Sequence, residues 1–269
     1  MLFNELKAGF ADPTTIEQKK QRFDENPDAA TAKSLASYFQ TQNEIAKAVT
    51  YYGKAQKYDP QSDFSEELFD LYNSGYRRDI YSLDELLDMT DIVLEAKKSD
   101  LAYTLGVYAQ MSNYASADPD NKKLLDYIKT GSQLLADNSN EAPAWTVRYL
   151  TLNHALFVEK NPEKALEIKK NSLKKGWEND AGQLNSFAWW CFENKINLQE
   201  AAELGRRGVK LAEPGRGKAM IIDTVAEIEN LRGNPREAVK LMEQAVKEDP
   251  ASDQWKKQLE RFKKTAEQS

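Results

Sequence analysis

Cysteine and histidine are nearly absent from this chain, which holds one of each, Cys191 and His154, in 269 residues. A single cysteine cannot close an internal disulfide or build a multi-cysteine zinc site, and a single histidine excludes multi-histidine metal centres. No metal and no cofactor is therefore expected. Surplus positive charge is missing too: 37 Lys and Arg stand against 43 Asp and Glu, a net charge of −6. Without cations to displace counterions, nucleic acid is not expected as a partner. No apolar run approaches the ~18–20 residues that span a bilayer. Glu5 and Lys7 interrupt the opening MLFNELKAGF, where a signal peptide needs an unbroken apolar stretch. Glycine and proline are scarce, 12 and 9 residues, and the prolines sit between periodic segments or at their starts.

Those segments repeat at 3.6-residue spacing, and none alternates with the period of two that marks a strand. Helices are predicted over 14–25, 29–41, 44–57, 62–76, 83–97, 99–114, 120–137, 142–158, 162–174, 181–194, 198–212, 216–231, 235–248 and 252–267. Ser82-Leu83-Asp84-Glu85 reads as a capping box, hydroxyl and carboxylate each satisfying one free amide. Asn197-Leu198-Gln199-Glu200 and Asn234-Pro235-Arg236-Glu237 repeat the pattern with Asn as the predicted cap. Pro162 and Pro235 both follow an Asn, at a first helical position where the missing N–H costs nothing.

The Asn residues are spaced. Asn161, Asn197 and Asn234 lie 36 and 37 residues apart, each followed four positions on by alanine: Ala165, Ala201 and Ala238. A period of that length, one helix pair per unit, signals a helical solenoid. In 29–62, Leu35, Ala36, Phe39, Ala48, Tyr52, Ala55 and Pro60 follow a large, small, aromatic, small, aromatic, small, proline order. In 219–252, Val225, Ala226, Ala238, Met242, Ala245 and Pro250 fall at the same spacing, with Gly233 between the two predicted helices. Alanines let two helices approach and large residues fill the gap between neighbours.

On these residues the chain resembles tetratricopeptide-repeat (TPR) proteins. The pattern is clearest at 29–62 and 219–252, present at 181–215 through Phe187, Ala188, Ala201 and Gly208, and degenerate over 62–97, 99–137 and 142–176. Glu229 departs from it, standing where the family prefers an aromatic. The resemblance implies an all-α fold, a right-handed superhelix of about six helix pairs with terminal capping helices. Residues 1–28 form a helical lead-in, 29–250 the pairs, and 251–269 a capping helix. Trp255, Leu259 and Phe262 give that last helix one apolar stripe amid Lys256, Lys257, Glu260, Arg261, Lys263 and Lys264, as suits the end of a solenoid.

Candidate chemistry is sparse. Trp190-Cys191 begins like a redox motif, but Asn194 occupies the place of the resolving cysteine, so Cys191 is read as a core thiol. Gly215-Arg216-Gly217-Lys218 lacks the earlier Gly and following Ser or Thr of a phosphate loop and reads as a turn between repeats. His154 has no companion for a triad. Asp118-Pro119-Asp120-Asn121 lacks the central Gly and distal Glu of a calcium loop. No catalytic constellation emerges among 43 acids. Ten of twelve tyrosines fall between Tyr38 and Tyr114, and all five tryptophans beyond 144. Helical spacing makes most of these core, with a tyrosine-rich peptide-binding face as the alternative.

In TPR families the first helix of each pair lines a concave groove that holds an extended peptide or a helix. Carried over by position, the groove candidates are Lys33, Ser37 and Gln40, then Asn185 and Trp189, then Asp223, Glu227 and Asn230, each set sharing one helix face. Asp223 and Glu227 suit a basic ligand group. The Lys/Asn/Arg clamp on a terminal carboxylate found in the family is not matched, since Ser37 stands in place of the Asn. The expected function is thus a non-catalytic scaffold for a protein or peptide ligand. The alternative is an all-α enzyme or sensor with a pocket inside the superhelix. Finally, residues 2–60 (a short helix NELKAGF, a linker, IEQKKQRFDENPD, a first repeat) and 184–250 resemble the repeat region of bacterial thioredoxin-fold/TPR fusion proteins. That resemblance implies a thioredoxin-fold domain upstream, which would hold any oxidoreductase activity. It also favours an exported, periplasmic location over a cytoplasmic one.

Overall fold

The computed structural model describes residues 15–138 and 142–268, and among them the chain is helical with no strand. The NELKAGF helix and the first part of the lead-in lie outside the described residues. Fourteen α-helices follow in order: α1 (Ile16–Glu25), α2 (Ala29–Thr41), α3 (Ile45–Tyr58), α4 (Ser65–Tyr76), α5 (Leu83–Ala96), α6 (Leu101–Ser112), α7 (Lys122–Asp137), α8 (Ala144–Asn153), α9 (Pro162–Asn171), α10 (Ala181–Glu193), α11 (Leu198–Leu211), α12 (Arg216–Leu231), α13 (Pro235–Glu248) and α14 (Asp253–Glu267). Consecutive helices pack as pairs, α2 on α3, α4 on α5, α8 on α9, α10 on α11 and α12 on α13. This is the all-α, helix-pair class that the sequence predicts. No helix is long and apolar enough to cross a membrane among the described residues.

Local chemistry explains the starts and the corners. Ser82 and Glu85 form the predicted capping box, and Thr15 with Gln18 forms a second on α1. Asp28 caps α2 and Asn161 caps α9 through side-chain oxygens. The other two predicted Asn caps are corrected. Asn197 sits at φ 50°, in the left-handed region, and its amide donates to Glu200 Oε2 at 2.5 Å instead of accepting from the helix. Asn234 turns its amide back to Glu229 Oε2 at 2.7 Å. The corner inside four of the pairs is one motif: a left-handed residue (Asn43, Asp79, Lys195 or Gly233), then an N–H closing on a carbonyl five residues back. Those closing bonds run from Glu44 to Phe39, Ile80 to Gly75, Ile196 to Cys191 and Asn234 to Glu229, at 2.8–3.0 Å. It is the Schellman solution for carbonyls left without a helical partner.

The chain divides into two units, the break falling inside α6 between Val107 and Tyr108. In unit 1 the core gathers Ala32, Leu35, Ala36, Phe39, Ala48, Tyr52 and Ala55 with Phe23 and Phe64, every one of them buried. Alanines at the contact set the short approach, and the rings seal it: Phe39 stacks on Tyr51 at 5.4 Å, and Phe23 meets Tyr51 edge-on at 5.7 Å. Lys97 closes the far side of this unit on Asp63 (2.9 Å) and Glu66 (2.6 Å). Hydrogen bonds from Ser65 and Lys97 pull the Asp63 carboxyl down to about 2.

Unit 2 holds α7 to α14. Phe187, Ala188, Cys191, Ala201, Ala202 and Ile228 form one cluster, and Ile222, Val225, Ala226, Ala238, Met242 and Ala245 another. Trp255 and Phe262 of α14 are buried in the second cluster, and Leu259 packs against it. The predicted apolar stripe is the face that α14 buries. Glu229, the departure from the repeat pattern, is buried yet fully answered: Arg206 reaches its Oε1 at 2.6 Å, Arg232 at 2.8 Å, and Asn234 its Oε2 at 2.7 Å. Burial alone would raise this carboxyl. The amide and the two guanidiniums outweigh burial and lower it.

Candidate functional site

The eight groove candidates divide between the units. Lys33, Ser37 and Gln40 lie on α2 in unit 1, and the other five on α10 and α12 in unit 2. In unit 1 they are occupied by their own surroundings. The Lys33 ammonium lies over the Phe64 ring at 5.6 Å. Tyr52 donates to Gln40 Oε1 at 2.9 Å, and Ser37 Oγ is 3.4 Å from the same hydroxyl. Of the tyrosines here Tyr52 is buried, Tyr51 and Tyr81 are half-buried against the core, and Tyr38 and Tyr58 are exposed.

In unit 2 the same kind of helix behaves differently. α10 sends Leu184, Phe187, Ala188 and Cys191 into the core, and α12 sends Ile222, Val225 and Ala226. The positions between them carry Asn185 and Trp189 on α10, and Asp223, Glu227 and Asn230 on α12, a helix packed directly against α10. Trp189 keeps 38% of its surface exposed and touches Phe192 with ring centroids 5.0 Å apart. The Oδ1 atoms of Asn185, Asp223 and Asn230 are buried without a hydrogen-bond partner. A buried polar atom without a partner costs about 1–3 kcal/mol, so three on one pair of helices is a concentration to be explained. Burial, with the neighbouring Glu227 charge, pushes the Asp223 carboxyl up to about 6.

α14 contributes two residues that the sequence reading did not include. Arg261 binds Glu227 through its guanidinium, donates from Nε to Gln258 Oε1 at 2.8 Å, and lies over the Phe262 ring at 4.1 Å. Gln258 also reaches Glu227, at 3.3 Å. Burial still raises the Glu227 carboxyl despite these donors. Arg261 was legible in principle, because it lies 34 residues after Glu227, one repeat length. The helix was read only as a cap.

The remaining motifs are absorbed locally. Cys191 is fully buried, and burial drives its thiol up to about 12. The Gly215–Lys218 turn starts α12, and Glu248 fills it, accepting from the Gly215 N–H at 3.1 Å and from Lys218 at 2.9 Å. His154 Nδ1 lies 3.2 Å from Glu159. Asn121, at the end of the Asp118 loop, caps α7. Among the described residues no three His, Cys, Asp or Glu gather in a metal-holding group.

No protein-family model matches the chain, and no curated protein matches it. Solved structures with a likeness to it include yeast Tom70, at 15% identity and TM-score 0.49, covering 94% of this chain and 51% of that one. The Cut9–Hcn1 hetero-tetramer of the APC/C matches at 13% identity and TM-score 0.48, covering 91% and 45%. The TPR2AB domain of yeast Sti1, solved in a pHSP90 complex, matches at 14% and 0.32, covering 89% and 84%. The chain spans about half the length of the Tom70 and Cut9–Hcn1 chains that it matches. At these scores the likenesses carry no argument about partner or chemistry.

Proposed function

We propose that this chain is a non-catalytic interaction scaffold that binds an extended protein or peptide segment on the α10–α12–α14 face of unit 2. The observation that supports the reading most directly is the face itself: an exposed tryptophan on α10, and on α10 and the α12 packed against it three buried oxygens that no described residue satisfies. Rigid aromatic anchors next to polar groups awaiting partners are what peptide-binding surfaces use. The raised Asp223 carboxyl is the one observation that favours an enzyme or sensor instead. Its charged neighbours are Glu227 and Arg261, an arrangement for holding charge without a nucleophile beside it. The finer reading places this face downstream of a thioredoxin-fold domain, keeping a client in reach of thiol–disulfide chemistry. It is supported by the resemblance of 2–60 and 184–250. With Cys191 buried, any thiol chemistry would belong to that other domain.

Selection from a random peptide display library, followed by amide-shift mapping with the winning peptide, tests the scaffold. Shifts centred on α10 and α12, abolished by Trp189→Ala, are expected. Absence of any selectable peptide, or shifts confined to unit 1, would overturn it. The coding sequence upstream of Met1 tests the fusion: an in-frame thioredoxin fold is expected, and a stop codon there ends that reading alone.

A further inference from the structure

The face in unit 2 is one-sided in its hydrogen bonding, and that asymmetry specifies a ligand. Its unsatisfied atoms are all acceptors: Oδ1 of Asn185, of Asp223 and of Asn230. The charged groups that act on Asp223 are Glu227 on its own helix and Arg261 on α14, while the further α14 cations Lys257 and Lys264 line the surface around Arg261. α10 adds only the neutral Asn185 and Trp189. Arg261 is already committed three ways, to Glu227, to Gln258 Oε1 and to the face of Phe262. No donor reaches Asp223 Oδ1 from any element. The face is therefore short by one cation.

Ligand classes can be weighed against that shortage. An anion would face the Asp223 and Glu227 carboxylates, with the Arg261 guanidinium already bound to Glu227. An apolar side chain would leave the same oxygens dry and unpaired. A divalent metal would find two carboxylates on one helix, one of them bound to Arg261, and no metal-holding group of three forms among the described residues. An ammonium brings three donors and a guanidinium five, in each case with the charge that Asp223 lacks. Trp189, 38% exposed on the adjoining helix, offers a flat apolar surface for the residue next to that cation.

We propose that the α10–α12–α14 face receives an extended segment of a partner protein carrying Lys or Arg, the cation seated on Asp223 and the adjoining apolar residue on Trp189. This inference rests on the scaffold reading and supplies its ligand chemistry. Charge complementarity commits it to a basic segment of another protein. It also sets the ligand apart from the acidic carboxy-terminus that the family's Lys/Asn/Arg clamp would hold.

The test uses three capped nonapeptides of identical Ser/Ala background, with Arg-Leu, Gln-Leu or Glu-Leu at the centre, titrated into the whole chain with tryptophan fluorescence as readout. The Arg-Leu peptide is expected to bind about tenfold or more tighter than Gln-Leu, as one charge-assisted pair allows, with Glu-Leu weakest. Asp223→Asn should shrink the Arg preference below about twofold, while Trp189→Ala weakens all three alike. A second variant guards against a folding artefact. Asp223→Leu removes an unsatisfied buried carboxylate, so it should melt at a higher temperature than the parent while losing the Arg preference.

Equal binding of the three peptides overturns the cation site and leaves the scaffold standing. Failure of all three, together with an empty display selection, overturns both. An Arg preference that survives Asp223→Asn removes Asp223 as the seat. Competition by spermidine as strong as that by the Arg-Leu peptide reassigns the site to free polycations. Concentration-dependent dimers that Asp223→Asn abolishes make a second copy, through its Lys-rich α14, the occupant in place of another protein.

Discussion

In α12 and α13 two helices meet on alanine; along Tyr108–Val158 of the same unit they meet on glycine and a polar pin. The first arrangement is repetitive. Ala226, Ala238 and Ala245 are wholly buried, and Gly233 turns the corner with a closing bond from Asn234 to Glu229. The second is bespoke. A methyl on Gly131 of α7 would stand 2.6 Å from Tyr108 Cβ and 3.0 Å from Leu150 Cδ2, so three helices converge on a bare backbone. α6 ends in a 3₁₀ turn at Asn113–Ser116, and α8 widens into a π turn at His154–Val158. Between them, the buried Asn153 donates to Ser112 Oγ at 2.7 Å and to Asn113 Oδ1 at 3.0 Å.

Yet the corner after α8 is the familiar one. Lys160 adopts the left-handed conformation (φ 53°), and the closing bond runs from Asn161 to Ala155, six residues back instead of five. The wide turn absorbs the additional residue, and the corner survives. Helix interiors can stretch by a residue at modest cost, whereas a corner that satisfies the last carbonyls has few alternatives. In this chain the turn is stricter than the helix.

Mutations can break or sharpen that contrast. The largest effect is expected at the regular end. Trp255→Asp replaces a buried indole with a charge in the second cluster and should cost about 4 kcal/mol in urea unfolding, with self-association through the uncovered face. A monomeric variant with unchanged melting would refute the capping role of α14. On the bespoke side, Asn153→Leu strips the buried Ser112 hydroxyl and the exposed Asn113 carbonyl of their donor and should cost about 1–2 kcal/mol. A neutral result would mean that the pin does not hold α6 to α8.

Glycine separates the two regions more finely. Gly131→Ala drives a methyl into Tyr108 Cβ, which only a backbone shift relieves, and about 1–2 kcal/mol should be lost in thermal or urea melts. Gly205→Ala meets Val225 Cγ2 at 2.7 Å, a side-chain methyl and not a Cβ fixed to backbone, so a smaller loss of under about 1 kcal/mol is left after the helix-forming gain of alanine. Equal losses would erase the distinction.

The smallest effects are pH-dependent and opposite in sign within α12. The Asp223 carboxyl is raised to about 6, so its contribution favours folding at acid pH and is lost as pH rises through that value. Glu229 is lowered, so its contribution is present above the ordinary carboxylate range and lost as pH falls through its folded value. Urea midpoints should therefore rise from pH 7 to pH 5 in the parent and rise less in Asp223→Asn, where the raised Glu227 carboxyl remains. The decline below about pH 4 should be shallower in Glu229→Gln.

Much of this was legible, for identifiable reasons. The bounds of α2, α12 and α13 follow from sequence alone, because alanine spacing, an acidic cap or a first-position proline mark them without reference to any neighbour. The 3₁₀ and π turns were not visible, since they answer contacts between Asn153 and residues 40 and 41 positions away. Asn197 and Asn234 look like caps by residue type. Whether an asparagine accepts from its helix or donates to a nearby glutamate is decided by φ and by the presence of Glu200 or Glu229. Within the candidate face, repeat register located five residues on two packed helices. Lys33, Ser37 and Gln40 had the same register, and only the structure shows that Phe64 and Tyr52 already engage them.

The solitary thiol has a use of its own. Cys191 sits fully buried on the core side of α10, the helix that also carries the exposed Trp189, with the sulfur protonated at neutral pH. It can react only when that core side opens. With no second thiol to confuse the signal, the rate of labelling by a thiol reagent is a built-in clock for opening at this one place. Run with and without a bound peptide, the clock would tell whether occupation of the outer surface slows the breathing of the layer below. No probe needs to be introduced.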